Sequence, residues 1–441
     1  MQETLSHYFG YKSFRPGQEE IITKILNHQH TLGVLPTGGG KSICYQVPGL
    51  MQGGTTIVIS PLISLMKDQV DQLQAMGIQA AYLNSSLTHK QQKEIEEQIK
   101  RGAIQFLYVA PERFENTFFL NLLRKIEIPL IAFDEAHCIS KWGHDFRPSY
   151  QSVIQKVFTL PQNFTIVALT ATATAEVQQD IMSKLSIGQN DVVKTSTKRR
   201  NLIFKVNPTY QRQKFVVDYV ANHEGQAGII YCSTRKQVEE LHEALNSEKI
   251  KSTIYHAGLT NKERIEAQND FLYDRVEVVI ATNAFGMGID KSNVRYVIHY
   301  NMPGDLESYY QEAGRAGRDG LKSECILLFS ERDKGLHEYF ITVSQADDDY
   351  KDKMGEKLTK MIQYTKTKKC LEATIVHYFE PNENLEECNQ CSNCIQENKT
   401  YDMTREAKMI ISCIARMKQQ ENYSVIIQVL RGEVTDYIKH H

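Results

Sequence analysis

The chain has 441 residues, 41% hydrophobic and 24% charged, which excludes a disordered chain and makes more than one folding unit the expectation. With 51 Lys+Arg against 53 Asp+Glu the formal net charge is −2, so any nucleic-acid contact has to come from a local basic track. No run approaches the roughly 18 apolar residues of a membrane span and no leader pattern opens the chain, so the reading is a cytoplasmic protein with no membrane partner.

Short apolar, β-branched runs separated by longer amphipathic segments mark βαβ units and parallel sheets. Residues 55–59, 106–109, 130–133 and 165–169 form a first set, and residues 228–231, 276–280, 296–299 and 325–329 a second. Strands apolar throughout are covered on both faces, so each set predicts a three-layer α/β domain. The polar stretch from Thr195 to Arg200 is the expected joint. The domains expected are 1–200 and 201–335, then a helical module over 336–399 and a short polar-helical end over 400–441.

The segment Pro36-Thr37-Gly38-Gly39-Gly40-Lys41-Ser42 follows the apolar stretch Leu32–Leu35 and precedes a helix expected to begin near Ser42. Glycines let backbone N–H groups turn toward phosphate oxygens, Lys41 neutralises β/γ charge, and the Ser42 hydroxyl reaches Mg²⁺. Leu35 stands where the general phosphate-loop pattern has Gly, and taken alone the loop also reads as a structural turn. Asp134-Glu135-Ala136-His137 follows the strand 130–133, which puts both acids at the carboxyl end of a strand, where open α/β sheets bind ligands. Asp134 suits Mg²⁺ and Glu135 suits the attacking water, although two adjacent acids alone are common on helix surfaces.

Between these acids and the second set lies Ser140-Lys141-Trp142-Gly143-His144-Asp145-Phe146-Arg147-Pro148, which holds the only tryptophan. Trp142 and Phe146 offer flat faces to unstacked bases and Arg147 a phosphate partner; an aromatic cluster packed into a core is the alternative. In the second set, Gln311-Glu312-Ala313-Gly314-Arg315-Ala316-Gly317-Arg318 supplies two arginines able to balance transition-state charge once two lobes close.

Of nine cysteines, Cys44, Cys138, Cys232, Cys325 and Cys413 sit among apolar neighbours and read as small core residues. Cys388-x2-Cys391-x2-Cys394 with Cys370 upstream gives four thiolates, the set that closes a structural Zn²⁺ site. An iron–sulfur cluster or free thiols are the alternatives, and His377 or Cys413 compete with Cys370 as fourth ligand.

With Phe14-Arg15-Pro16-Gly17-Gln18, Ser60-Pro61-Leu62-Ile63-Ser64-Leu65, Thr170-Ala171-Thr172, His256-Ala257-Gly258 and Ala284-Phe285-Gly286-Met287-Gly288, these segments fall in the order of superfamily 2 helicase motifs. Their wording resembles the RecQ family. That resemblance implies two tandem RecA-like domains, a helical zinc-binding module and the opening of a winged-helix domain whose body is missing. It implies ATP, Mg²⁺ and Zn²⁺ as cofactors, and Gln18 and Arg15 at the adenine. Arg318 becomes the arginine finger, supported by Arg315 and Gln311, with Lys41, Asp134, Glu135 and His137 on the opposite lobe and Gly288 and Asp290 closing the nucleotide site. Contacts to one DNA strand fall to Ser60, Pro61, Ser64, Thr172 and Thr282, and the Trp142 loop couples DNA to hydrolysis. The function so implied is 3′ to 5′ DNA unwinding in recombination and repair. Expected with it are a monomeric, nucleoid-associated state and a single-stranded-DNA-binding protein as partner. An RNA helicase, disfavoured by His137, and a DNA-stimulated ATPase scaffold with little unwinding are the alternatives.

Overall fold

In the computed structural model, seven parallel strands form a first sheet and six a second. The structure describes all residues except 62, 85–86, 144, 287–290, 384–385, 396–402, 418–421 and 434–441, and leaves the side chains of 63 and 64 undescribed. The expected ligands Gly288 and Asp290 lie outside the described residues, as does the side chain of Ser64.

The first sheet contains β1 (Thr31–Val34), β2 (Thr56–Ile59), β3 (Ala80–Leu83), β4 (Phe106–Val109), β5 (Leu130–Phe133), β6 (Thr165–Thr170) and β7 (Val192–Lys194), in the order β3-β4-β2-β5-β6-β1-β7. The second contains β8 (Leu202–Pro208), β9 (Ala227–Tyr231), β10 (Ser252–Tyr255), β11 (Val278–Ala281), β12 (Val294–His299) and β13 (Ser323–Phe329), in the order β10-β11-β9-β12-β13-β8. Alternation along each strand feeds two cores. Ile57, Ile59, Ile131 and Phe133 enter one and Val58, Leu130 and Ala132 the other, and the second sheet divides Ile229 and Val297 from Ile230 and Ile298 in the same way. Side chains on both faces of a strand are buried only when helices cover both, so the continuous apolar runs are explained.

The polar segment expected as a joint does connect the sheets, and it grips the arginine segment. Arg199 donates to the carbonyls of Gly314, Ala316 and Gly317 at 2.7, 3.1 and 2.7 Å, in the segment that follows the helix Leu306–Ala313.

Ser330 caps a helix over Glu331–Val343 through a reciprocal box with Asp333, the arrangement that satisfies two orphan donors at once. Helices Asp348–Lys366 and Leu371–Phe379 follow. Leu358, Met361, Tyr364, Leu371, Ile375 and Phe379 join the core of the second sheet, with Tyr364 against Tyr309 at 5.4 Å and Phe379 against Tyr310 at 5.5 Å between ring centroids. Burying side chains of this size contributes roughly 1.5–3 kcal/mol each. The module also covers the exposed edge of β8: Val206 N–H donates to Ser392 Oγ at 3.2 Å, and Gln390 donates to the carbonyls of Arg200 and Leu202 at 2.8 and 3.2 Å.

Residues 396–441 form a separate compact unit, in which helices Thr404–Arg416 and Tyr423–Leu430 are described. Within it Cys413 is the one buried hydrophobic residue among the described residues, as expected for a stretch too short to enclose a core. No described helix is long and apolar enough to cross a membrane.

Candidate functional site

The carboxyl ends of β1, β6 and β5 stand side by side and deliver three segments to one edge of the first sheet. After β1, Leu35 N–H extends the ladder to Thr170 O at 3.0 Å, and Gly39 N–H turns back to Pro36 O at 2.8 Å. Gly38 and Gly40 adopt φ of 79° and 75°, a backbone region costly for any side chain. Ser42 then occupies the N-cap position of helix Ile43–Gln52, so the helix begins where the loop chemistry needs it. Arg15 donates to Gly38 O and Gln18 to Gly39 O and Gly40 O, the latter two at 3.2 and 2.9 Å. A Cβ on Gly40 would come within 2.5 Å of Gln18 Nε2, so this glycine is what admits Gln18 to the loop.

After β5, Asp134 is 9% exposed and burial pushes its carboxyl up to about 7, with Glu135 adding to the rise and Lys41 opposing it. Glu135 takes φ 48° and ψ 49°, a left-handed conformation of the sort that persists where surrounding structure enforces it. Buried His137 places Nδ1 3.1 Å from Thr170 Oγ1 and 3.4 Å from Glu135 Oε2, and Thr170 in turn donates to Thr172 O at 3.1 Å. The acid segment is thereby tied to the end of β6. The hydroxyls of Ser60 and Thr172 are buried and make no hydrogen bond among the described residues, and Thr282 is buried at the end of β11.

The second lobe closes the opposite side. Helix Leu306–Ala313 runs toward the first lobe, and a Cβ on Gly314 would lie 3.3 Å from Thr37 Cβ. A Cβ on Gly38 would lie 3.6 Å from Arg318 Cγ. Arg315 is 5% exposed and donates to Gly286 O, and Gln311 is also buried, at 8%. One cavity of about 460 Å³ is lined by Arg15, Gln18, Thr37, Gly38, Gly40, Lys41, Ser42, Asp134, Glu135, Gln311, Arg315 and Arg318. Groups expected from two lobes therefore face one space. Tyr11, Gln46, Gln72 and Met76 also line it; the sequence offered no spacing that singles them out.

The Trp142 loop is built onto the acid segment. Arg147 N–H donates to Cys138 O at 3.1 Å, its Nη1 reaches Pro61 O at 3.0 Å, and its Nε pairs with Asp145 at 3.1 Å. Trp142 is partly buried and packs against the first lobe's core, with the ammonium groups of Lys141 and Lys353 5.2 and 5.9 Å from its ring. Phe146 is half-buried. Cations and core side chains thus both contact the indole.

In the helical module the ligand atoms of Cys370, Cys388, Cys391 and Cys394 all lie within 4.8 Å of one another. Four soft donors at that separation fit one tetrahedral Zn²⁺ and leave no open position. Neither His377 nor Cys413 joins the group.

Against protein families, residues 15–181 match the DEAD/DEAH box helicase model, 211–320 the helicase conserved C-terminal domain, 331–395 RecQ zinc-binding and 397–441 the RQC domain. The ATP-dependent DNA helicase RecQ of Bacillus subtilis is 48% identical over 98% of this chain and 73% of its own length. The chain belongs to the RecQ family. Another member, the ATP-dependent DNA helicase RecQ of Haemophilus influenzae, is 42% identical over 97% of this chain and 69% of its own. Solved helicase structures are similar to this chain in fold at low identity: the DEAD-box helicase Mss116 superposes with a TM-score of 0.64 at 14% identity over 86% of this chain and 89% of that one. Dbp5 of Saccharomyces cerevisiae gives 0.62 at 18% over 81% and 97%.

Proposed function

We infer that the chain is an ATP- and Mg²⁺-dependent DNA helicase that moves 3′ to 5′ on single-stranded DNA and unwinds duplexes in recombination and repair. The observation that carries this reading is the approach of Arg318, from the second lobe, to Gly38 in the phosphate loop of the first. Lys41 neutralises β/γ charge, and Ser42 and Asp134 would hold Mg²⁺, which would supply charge stabilisation to the phosphates. Glu135 orients the attacking water, while Arg318, with Arg315 and Gln311 behind it, meets the charge that develops on the γ-phosphoryl group. Thr37, Gly38, Gly39 and Gly40 wrap the phosphates, and Arg15 and Gln18 turn from the loop carbonyls to the adenine. Because these groups come from both lobes, hydrolysis and lobe closure are one event.

The DNA track runs from Ser60, Pro61, Ser64 and Thr172 on the first lobe to Thr282 on the second, with Trp142, Phe146 and Arg147 receiving bases and phosphate. The proposed division is 1–200 and 201–335 for the lobes, 336–399 for the zinc module and 400–441 for the start of a winged helix. Action as a monomer at the nucleoid, alongside a single-stranded-DNA-binding protein, completes the reading. Strand displacement on a 3′-tailed duplex beside a 5′-tailed one tests it: only the 3′ tail supports unwinding, and unwinding from neither, or ATPase stimulated by RNA alone, overturns it.

A further inference from the structure

Outside the nucleotide site, the most deeply buried cation contact between segments of the two lobes among the described residues is made by a residue of neither. Lys357 sits in helix Asp348–Lys366 of the zinc module and is 5% exposed. Its ammonium lies 2.9 Å from Glu307 Oε1 in the second lobe and donates to the backbone carbonyl of Trp142 in the first at 2.7 Å. Glu307, 3% exposed, opens the helix that carries Gln311 and leads to Arg315 and Arg318. One charged group thus touches both the loop that receives DNA and the helix that leads to the arginines.

Around this contact the same helix makes weaker ones. Lys141 pairs with Asp347 at 2.9 Å and Lys353 with Glu176 at 2.9 Å, but these pairs are solvent-exposed and contribute little. The buried pair is different in kind, because an ammonium and a carboxylate out of water hold their geometry tightly or not at all. A buried ammonium has three N–H donors to satisfy, and Lys357 directs one of them to a backbone carbonyl on the other lobe.

We propose that Lys357 is a positioning residue for DNA-stimulated hydrolysis, carrying the position of the Trp142 loop to helix Leu306–Ala313. A base stacking on Trp142 displaces its carbonyl; the ammonium follows or loses that bond, and Glu307 shifts with it. The proposal rests on the helicase reading above, and its test separates the two. In the wild-type protein, ATPase that single-stranded DNA fails to stimulate counts against the helicase reading itself.

In K357M, the DNA-stimulated kcat falls about tenfold, within the usual range of site-to-site coupling, while basal kcat and KM for ATP stay close to wild type. The half-saturating DNA concentration stays close too, since buried Lys357 does not touch DNA. The emission of Trp142, the single tryptophan, changes in the DNA-free variant, and K357R recovers part of the stimulation. Full stimulation in folded K357M, or an equal fall of basal and stimulated rates, overturns the proposal. Should K357M not fold, the E307Q/K357M double variant removes both charges together and is expected to fold without stimulation; retained stimulation there overturns it equally. Wild-type hydrogen exchange gives a reading free of mutation: helix Leu306–Ala313 changes its protection when DNA binds, and an unchanged helix refutes the link.

Discussion

Gly143 lies directly on the carbonyl of His137: a Cβ added at Gly143 would come 2.2 Å from that oxygen. The aromatic loop therefore rests on the segment that bears Glu135 with no room between them. Gly143→Ala must push the loop away, at a cost of about 1–3 kcal/mol as for other overpacked sites. The expected result is a lowered melting temperature together with a much reduced DNA stimulation of ATPase. Unchanged stimulation would show that loop and acid segment are not coupled through this contact.

Lys41 and Glu135 of the first lobe and Arg318 of the second line one cavity. Lys41→Ala and Glu135→Gln should abolish turnover while single-stranded DNA still binds, as a gel-shift or anisotropy assay would show. Arg318→Ala should keep ATP binding within a few-fold and lose roughly 10³ in kcat, the order found for arginine fingers. Normal hydrolysis in any of the three removes that residue from the site.

Much of this site is legible in sequence because its chemistry demands contiguous residues at strand ends. The phosphate loop after β1 and the acids after β5 announce themselves, and strands buried on both faces show as unbroken apolar runs. The strands named least readily, β3, β7, β8 and β10, lie at or beside sheet edges, where β8 and β10 are largely half-buried and lose that signature. Lys357 is illegible for another reason. It stands in a Lys-rich helix that reads as a solvated face, and only burial against Glu307 and Trp142, distant in the chain, sets it apart. Gly143 likewise carries no sequence mark of its contact with His137.

The raised carboxyl of Asp134 gives a pH dependence with a definite sign. Its ordinary value is 3.8 and its folded value about 7, so the folded chain holds the proton more tightly than the unfolded one. Without Mg²⁺, stability from this group is present at low pH and is lost as pH rises from about 3.8 through about 7. Mg²⁺ needs the ionised form, so the half-saturating Mg²⁺ for ATPase should climb as pH falls below about 7, roughly tenfold per unit. Asp134→Asn should remove the metal-free loss of stability at alkaline pH while destroying turnover. A Mg²⁺ requirement flat between pH 6 and 8 would contradict the placement of Asp134 at the metal.

Zinc supports the module that covers β8 and carries Lys357, so its removal should reach the motor. Burial, helped by hydrogen bonds among the neighbouring thiols, raises the Cys388 and Cys394 thiols, Cys394 to about 11, so without metal these sulfurs stay protonated and zinc binding has to release their protons. Metal analysis should find one zinc per chain. A strong chelator, or Cys391→Ser, should expose the segment from Thr367 to Ile395 to protease before either sheet is cut, because the ligands come from both sides of helix Leu371–Phe379. Loss of DNA-stimulated ATPase should track zinc loss, since Leu371, Ile375 and Phe379 anchor the module to the second lobe's core. A zinc-free chain with an intact module and full stimulation would leave the four thiols as core residues and nothing more.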